Sequence, residues 1–300
     1  VVRKVDLSAG DRWVAAILPS LGKESGGLAR YLSGAEGVAE GDARCSLTAG
    51  SIALAGSVLS RRLVVRGVPF HDVKAEGEYG VRGDAAKWSA RGSCGVAGGV
   101  VRIEAGGGTG GGAGISGTVE DLEISRVLAI LPQGKPADLR GVLGARFAAK
   151  EGSHGWEVQQ VLATSKEIIS GDVKFSDVRA EGSLGGSEGK FSLSASEPRL
   201  MLDGEVRRGE GWPAKFSLAV AEMPTSFLLA VARRAGIPSE GVWSVEAGGV
   251  VRLEDLVAGE GISADTFPVL DLALRARAPS VGELRFGEFR ATGRRQGERI

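Results

Sequence analysis

Residue types that carry catalysis or bind metal are few in this sequence, and they are scattered. The two histidines, His71 and His154, are 83 residues apart, and no cysteine cluster accompanies either of them. A zinc site needs three or four ligands close together, so both histidines are interpreted as surface turn residues. No Gly-x-Ser-x-Gly elbow joins a strand to a helix, and no acid, base and nucleophile converge. The sequence therefore predicts no enzyme activity, no metal and no cofactor.

The glycine-rich segment 106–114 is the one stretch that suggests a phosphate-binding loop, with seven glycines in nine residues. A P-loop needs a lysine followed by Ser or Thr and then a helix, but the chain continues here as Ile115-Ser-Gly-Thr118. A flexible linker is the favoured interpretation.

Cys45 and Cys94 are the only cysteines of the chain. They could pair in an oxidising compartment, or they could be two free, small side chains. Sequence spacing leaves both alternatives open, because a disulfide depends on the distance between the two residues in the fold.

One ten-residue phrase occurs three times and indicates serial copies of a structural unit. It starts at Val68, Val173 and Leu284, at separations of 105 and 111 residues. Two apolar residues two apart are followed by a third apolar residue three positions later, which predicts a β-bulge or tight bend. Its acidic residue is interpreted as a turn former rather than an active-site acid. The predicted bend residues are Phe70, Asp72, Val73, Phe175, Asp177, Val178, Phe286, Glu288 and Phe289.

A second phrase predicts a short helix near the start of each unit. Val14-Ala-Ala-Ile-Leu-Pro19 and Val127-Leu-Ala-Ile-Leu-Pro132 match at five of six positions, and 227–236 is a weaker third copy. Such short helices must pack on something, so they either pack against the sheet or cap and gate it. The residues considered for this role are Trp13, Val14, Ile17, Val127, Leu128, Leu131, Phe227, Leu228 and Val231.

Apolar residues alternate with polar ones between these helices, as they do in half-buried strands. Glycine-rich turns separate the candidate strands, which favours consecutive antiparallel hairpins. The predicted fold is mainly β: an elongated, curled antiparallel sheet built from units of about 105–113 residues, each with a short amphipathic helix. The predicted units are 1–114, which ends in the linker 106–114, then 115–220, and an incomplete 221–300.

Charge argues against a polyanionic partner, because 37 basic and 37 acidic residues give a net charge of zero. Neither nucleic acid nor an anionic membrane surface is therefore expected to bind. No stretch approaches the roughly 20 apolar residues of a membrane helix. The chain begins at Val1 without a signal peptide, so it is interpreted as an internal piece of a longer protein.

The rhythm of Ile-Leu-Pro helices, glycine-punctuated strands and the Val-x-Phe-x-Asp-Val-x-Ala-Glu-Gly phrase resembles the AsmA-like superfamily, in particular its YhdP and TamB branches. Phe267–Leu274 followed by Leu284–Phe289 carries the same likeness, which extends from about residue 9 to the end. The resemblance implies a bacterial inner-membrane protein, anchored outside this sequence, whose periplasmic sheet has an apolar groove that moves phospholipid toward the outer membrane. TamB relatives are also linked to the assembly of outer-membrane proteins.

The leading hypothesis is a non-catalytic, monomeric segment of a periplasmic lipid conduit, with phospholipid or another acyl-chain lipid as its partner. The predicted groove residues are Leu193, Leu200, Leu202, Val206, Leu270, Leu272 and Leu274. One alternative is a scaffold that assists outer-membrane protein assembly through exposed sheet edges, with membrane proteins as partners. Another is a surface adhesin. Periodicity leaves open whether the sheet is an open trough or a filled sandwich.

Overall fold

The protein is mainly β and antiparallel, as the sequence predicts, whereas the curl, the unit length of about 105–113 residues and a helix in every unit stay predictions. The computed structural model describes residues 5–6, 35–65, 67–130, 139–153, 155–170, 173–209, 212–226, 239–252, 269–285 and 287–296. Most of these residues lie in strands, and the one helix with defined bounds is α1, Ile124–Ile130. No helix in these ranges is long and apolar enough to cross a membrane.

The chain divides into two compact units, residues 1–135 with 148–151 and residues 136–147 with 152–300. The first unit contains β1 (Val5–Asp6), β2 (Ala35–Thr48), β3 (Ser51–Val65), β4 (Val68–Arg82), β5 (Ala85–Val96), β6 (Gly99–Gly108), β7 (Gly111–Glu123) and α1. Strand β8 (Leu139–Gly152) contributes residues to both units. The second unit continues with β9 (Gly155–Ser170), β10 (Val173–Gly185), β11 (Glu188–Ala195), β12 (Arg199–Arg207), β13 (Pro213–Pro224), β14 (Ser239–Arg252), β15 (Val269–Val281), β16 (Leu284–Arg285) and β17 (Glu288–Gln296).

Within each unit the strands pair with their neighbours in sequence. In the first unit β2 to β7 form an antiparallel meander, and β1 pairs with β2. In the second unit β9 to β15 do the same, while β16 and β17 both pair with β15. Short glycine turns make these hairpins, because Gly50 and Gly83 have the positive φ values of +84° and +59° that a tight reversal needs.

The glycine-rich segment 106–114 is not a linker. It forms the end of β6 and the start of β7, joined at Thr109–Gly110, with Gly106 opposite Gly114. Thr109 fixes this hairpin: its N–H donates to the Ala86 carbonyl at 2.8 Å, and its hydroxyl accepts from the Ala86 N–H at 2.8 Å. The prediction of a flexible linker was wrong because the hydrogen bonds between paired strands use the backbone alone, so glycines without side chains can form them.

Two predicted bends contain a residue in the left-handed region. Asp72 in β4 and Asp177 in β10 both have φ +48°, and the β4–β5 register shifts by one residue beside Asp72. The apolar residues of these bends, Phe70, Val73, Phe175 and Val178, are half-buried. The same backbone conformation occurs at Asp121 in β7 and Glu222 in β13, with φ +55° at each.

The third predicted bend lies where the repeated phrase places it, since the chain bends at Gly287 between β16 and β17, but its backbone conformation differs from that of the first two. Glu288 begins β17 opposite Arg277 and is not among the residues with positive φ, whereas Ala278 of β15 has φ +44°. Pro279 follows Ala278, and a proline cannot donate to a sheet ladder, so the pairing of β15 is interrupted across from this bend. Phe289 is exposed and packs its ring on Trp243, with centroids 5.9 Å apart. Phe286 lies outside the described residues.

Helix α1 contains Val127 and Leu128 of the predicted helices, and both residues are half-buried. The other residues predicted for this role fall outside the described ranges: Trp13, Val14, Ile17, Leu131, Phe227, Leu228 and Val231. Their predicted roles as caps or gates stay predictions.

Candidate functional site

The predicted groove residues share one face of the second unit. Directly opposed residues of antiparallel strands point to the same side, so the register alone assigns the face. Leu193 is opposite Leu202, and Leu202 is in turn opposite Leu218. The row continues through Ala247 of β14 to Leu272 of β15.

Neighbouring rows on this face are also apolar. One row runs Ala195, Leu200, Val220, Val245, Leu274 and Ala291 across β11 to β17. Another runs Gly182, Phe191, Gly204, Phe216, Gly249 and Leu270 across β10 to β15. We call the rows that contain Leu193, Leu200 and Leu270 the second apolar face.

Val206 differs from the other predicted groove residues because it is buried. It packs in a core cluster with Ala214 and Val251, and its side chain is only 9% exposed. Partly buried Leu184, Phe191, Trp212 and Phe216 pack against this cluster. Val206 therefore stabilises the sheet and does not line an accessible surface, which corrects its prediction. The other six residues, Leu193, Leu200, Leu202, Leu270, Leu272 and Leu274, are half-buried.

The opposite face of the second unit is polar. Residues between the groove positions, such as Asp203, Glu205 and Lys215, are exposed. Ion pairs follow the register there: Arg207 is opposite Glu188 at 3.4 Å, and Lys190 Nζ lies 3.8 Å from Glu205. The sheet of this unit is thus amphipathic, with one face suited to apolar atoms and one to water.

The first unit has an equivalent surface that sequence reasoning did not assign. One row runs Cys45, Leu54, Tyr79, Trp88 and Gly107, and another runs Gly41, Val58, Ala75, Gly92, Ile103 and Gly117. We call these rows, with Ile52 beside them, the first apolar face. Its large side chains are well exposed, at 42% for Leu54, 45% for Val58 and 41% for Tyr79. The alternation of Ile52, Leu54 and Val58 is the signal that could have found it.

One depression in the first unit opens on its polar face instead. It has a volume of about 620 Å³ and is lined by Asp42, Arg44, Ser57, Glu76, Glu78, Ser89, Arg91 and Glu104, among others. Inside it Arg91 forms an ion pair with Glu76, which holds the pKa of that carboxyl below its usual range. Because charged side chains line this depression, it does not suit acyl chains and is not the apolar groove that the family resemblance implies.

Cys45 and Cys94 are both free. They lie on β2 and β5, with β3 and β4 between them, so the spacing across the strands alone separates them by at least roughly 14 Å. A disulfide needs Cα atoms within about 7 Å, which answers the question that the sequence left open. Partial burial raises the pKa of the Cys94 thiol.

Buried hydroxyl groups beside the bends were missed from the sequence. Ser60 is directly opposite Val73, and Ser165 is opposite Val178, 105 residues further along. Each hydroxyl lies within hydrogen-bond distance of the carbonyl oxygen two residues later, at 3.0 Å for Arg62 and 2.8 Å for Glu167. These serines accompany the bend in both copies and serve the backbone rather than a reaction.

Groups for catalysis do not come together in the part of the chain that the structure describes. His71 is exposed in β4, opposite Arg62 and Gly95, and not in a turn; His154 lies outside the described residues. No group of three metal-ligating side chains occurs within the described ranges. The features with functional geometry are therefore the two apolar faces and the charged faces behind them.

Comparison with protein-family models, with curated proteins and with solved structures found no match to this chain. Membership of the AsmA-like superfamily accordingly stays a prediction that rests on the sequence rhythm alone.

Proposed function

We propose that the two apolar faces bind the acyl chains of phospholipid, and that the chain is a segment of a periplasmic lipid conduit. One observation carries the proposal: on each unit, cross-strand rows of large apolar side chains remain accessible. Buried hydrophobic residues are few among the described ones, namely Ala39, Leu162, Val173, Val206, Ala214, Val220, Met223, Val251 and Ala276. A filled sandwich would bury many more, because packed interiors are nearly free of voids.

Energetics favour an acyl chain as the occupant. Each methylene group removed from water contributes about 0.8 kcal/mol, so ten methylenes laid on such a face contribute about 8 kcal/mol. A row of leucine and valine side chains provides this contact at any point along the lipid tail. Binding of this kind has no strict register, which is what movement along a surface requires. The periplasmic location and the lipid class rest on the family resemblance.

Site-specific photo-crosslinking of the full chain tests the proposal directly. We expect a benzophenone side chain at Leu202 or Leu272 to crosslink phospholipid during expression in bacteria. Met201 is the matched control, because it is the next residue along β12, is 58% exposed and points to the polar face. Native mass spectrometry of the purified chain should show the same lipid bound without crosslinking.

The proposal fails if lipid is captured equally from Met201 and Leu202, or from neither. Capture of a polypeptide from Leu202 would instead support the scaffold alternative. Crosslinking is preferred to a Leu202→Asp variant, since a carboxylate on this half-buried apolar face would destabilise the sheet and weaken binding for that reason alone.

A further inference from the structure

Arg275 and Arg290 break the charge pattern that the rest of the strand ladders follow. Arg275 in β15 is directly opposite Arg290 in β17, which places two guanidinium groups on neighbouring strands of the polar face. Like charges at directly opposed positions destabilise a sheet. Among the paired strands of the described ranges, every other directly opposed pair formed by Asp, Glu, Lys or Arg residues has opposite signs. These pairs are Glu76–Arg91, Arg91–Glu104, Glu188–Arg207, Lys190–Glu205, Glu205–Lys215, Asp271–Arg294 and Arg277–Glu288.

Two further arginines extend this pair into a patch. Arg277 follows Arg275 on the same face of β15, and Arg294 follows Arg290 on β17. We call Arg275, Arg277, Arg290 and Arg294 the arginine ladder. Arg290 and Arg294 are 67% and 66% exposed, and Arg275 and Arg277 are exposed as well.

Carboxylates neutralise only part of the ladder. Glu288 accepts from Arg290 at 2.6 Å, and Asp271 lies 3.1 Å from Arg294. Arg290, Arg277 and Arg275 together hold the pKa of Glu288 below its ordinary value, so this carboxylate is already shared between cations. Four arginines therefore face two carboxylates on β15 and β17, with Glu246 the nearest acid on β14, opposite Ala273.

We propose that the arginine ladder binds the phosphate groups of an anionic phospholipid surface. Guanidinium groups bind phosphate oxygens in a bidentate manner. A phosphate between Arg275 and Arg290 would pair with both guanidinium groups and offset the repulsion between them. A bilayer surface supplies several phosphates at once, which suits arginines spread over two strands. The ladder lies on the opposite face from Leu272 and Leu274, so acyl-chain binding and headgroup binding use different surfaces.

The net charge of the chain does not reveal this local cluster of arginines. The chain as a whole is neutral, from which the sequence predicts no affinity for an anionic membrane. The arginines come together only when β15 and β17 pair, because Arg275 and Arg290 are 15 residues apart in sequence. Local charge, rather than the sum over 300 residues, decides binding to a surface within a Debye length.

Vesicle co-sedimentation of the full chain tests the inference. We expect the chain to bind vesicles of three parts phosphatidylcholine to one part phosphatidylglycerol, and to be released by high salt. Each arginine near an anionic surface strengthens binding about fivefold, so Arg275→Gln with Arg277→Gln should weaken binding by about 25-fold. The matched control is Arg179→Gln with Arg207→Gln, which removes the same charge from ion-paired arginines on the polar face of the same unit.

Four outcomes would overturn the inference: equal binding to pure phosphatidylcholine, equal losses in the two double variants, no binding, or displacement by millimolar inorganic phosphate at constant ionic strength. Urea unfolding without lipid gives a second readout. The single variant Arg275→Gln should bind vesicles about fivefold more weakly and yet raise the unfolding midpoint, since it removes a repulsive pair, so its weaker binding cannot be attributed to misfolding. The inference takes only the choice of lipid from the proposed function. Crosslinking at Leu202 and vesicle binding through the ladder can therefore fail independently.

Discussion

Phe191 of β11 lies directly opposite Gly204 of β12 on the second apolar face. The ring leans over the glycine, so that a methyl group added at Gly204 would lie 2.6 Å from Phe191 Cε1 and 2.7 Å from the Lys215 carbonyl oxygen. Phe216 is opposite Gly204 from the other side. Glycine here gives an aromatic side chain room to cover the backbone, which partly compensates for the low strand propensity of glycine.

Gly204→Ala should therefore lower the free energy of unfolding by about 1–3 kcal/mol, because both the ring and a backbone carbonyl oppose the new methyl group. Urea denaturation followed by circular dichroism measures the change. Gly293→Ala is the matched control: Gly293 is a strand glycine in the Leu272 row, and a methyl group there would meet nothing within 4 Å. We expect that control to be neutral or slightly stabilising. Equal destabilisation by the two variants would show that Phe191 does not depend on the glycine.

The bends at Asp72 and Asp177 predict a different response to substitution. Both residues have φ +48°, which Asn and Gly tolerate and β-branched residues do not. Asp72→Val should cost about 1–2 kcal/mol of unfolding free energy, whereas Asp72→Asn should change it little. Asp177→Val should cost more, since Asp177 also accepts a hydrogen bond from the Ser196 hydroxyl at 2.9 Å. Lys74→Val, two residues beyond the first bend, controls for β-branching alone. A smaller loss at Asp72 than at Lys74 would contradict the conformational argument.

Periodicity was sufficient to predict the parts of the sheet in which polar and apolar residues alternate strictly. Leu200 and Leu202 are separated by Met201, and this alternation alone put them on one face of an antiparallel sheet. It could not show that Val206 is buried, because that depends on Ala214 and Val251 from two other strands. Nor could it assign segment 106–114, where a strand is held by backbone hydrogen bonds without any side-chain pattern.

The pairing of strands distant in sequence also determines which residues lie beside each charged side chain. The acidic residues of the repeated phrase look equivalent in sequence, yet Glu288 pairs with Arg277 while Asp72 and Asp177 have positive φ. The arginine ladder is a second case, since its residues are adjacent only across strands. Local propensity carries no information on such neighbours, because the sheet register that creates them depends on the whole meander.

The Thr225 hydroxyl contacts three polar groups in the second unit. Replacing it with the similarly shaped valine should therefore lower the free energy of unfolding. It is 3% exposed, and its hydroxyl lies 2.7 Å from the Glu240 carbonyl and 3.1 Å from the Gly241 carbonyl. The same oxygen accepts from Trp243 Nε1 at 3.0 Å. Thr225→Val would leave buried polar groups unpaired, so we expect a loss of about 1–3 kcal/mol in urea unfolding. Thr292→Val, at an exposed position of β17, should be nearly neutral.

A double-variant cycle identifies the cause of that loss. If the unpaired indole N–H dominates, adding Trp243→Phe to Thr225→Val should cost less than the sum of the two single changes. Strict additivity would assign the loss to the Glu240 and Gly241 carbonyls instead. A Thr225→Val variant as stable as the parent would contradict the role given to this hydroxyl.

The two cysteines should differ in their rates of alkylation. Partial burial raises the pKa of Cys94, so less thiolate is present at neutral pH, and its alkylation should be slower than that of N-acetylcysteine. The rate of Cys94 alkylation should rise with pH, with a midpoint above the ordinary thiol value, and unfolding in urea should abolish the difference from N-acetylcysteine.

Cys45 is exposed and should react before Cys94, and mass spectrometry without reductant should count two free thiols. Cys45 shares a row with Leu54, so bound phospholipid should slow its alkylation, while Cys45 rates unchanged by lipid would leave the first apolar face without an occupant.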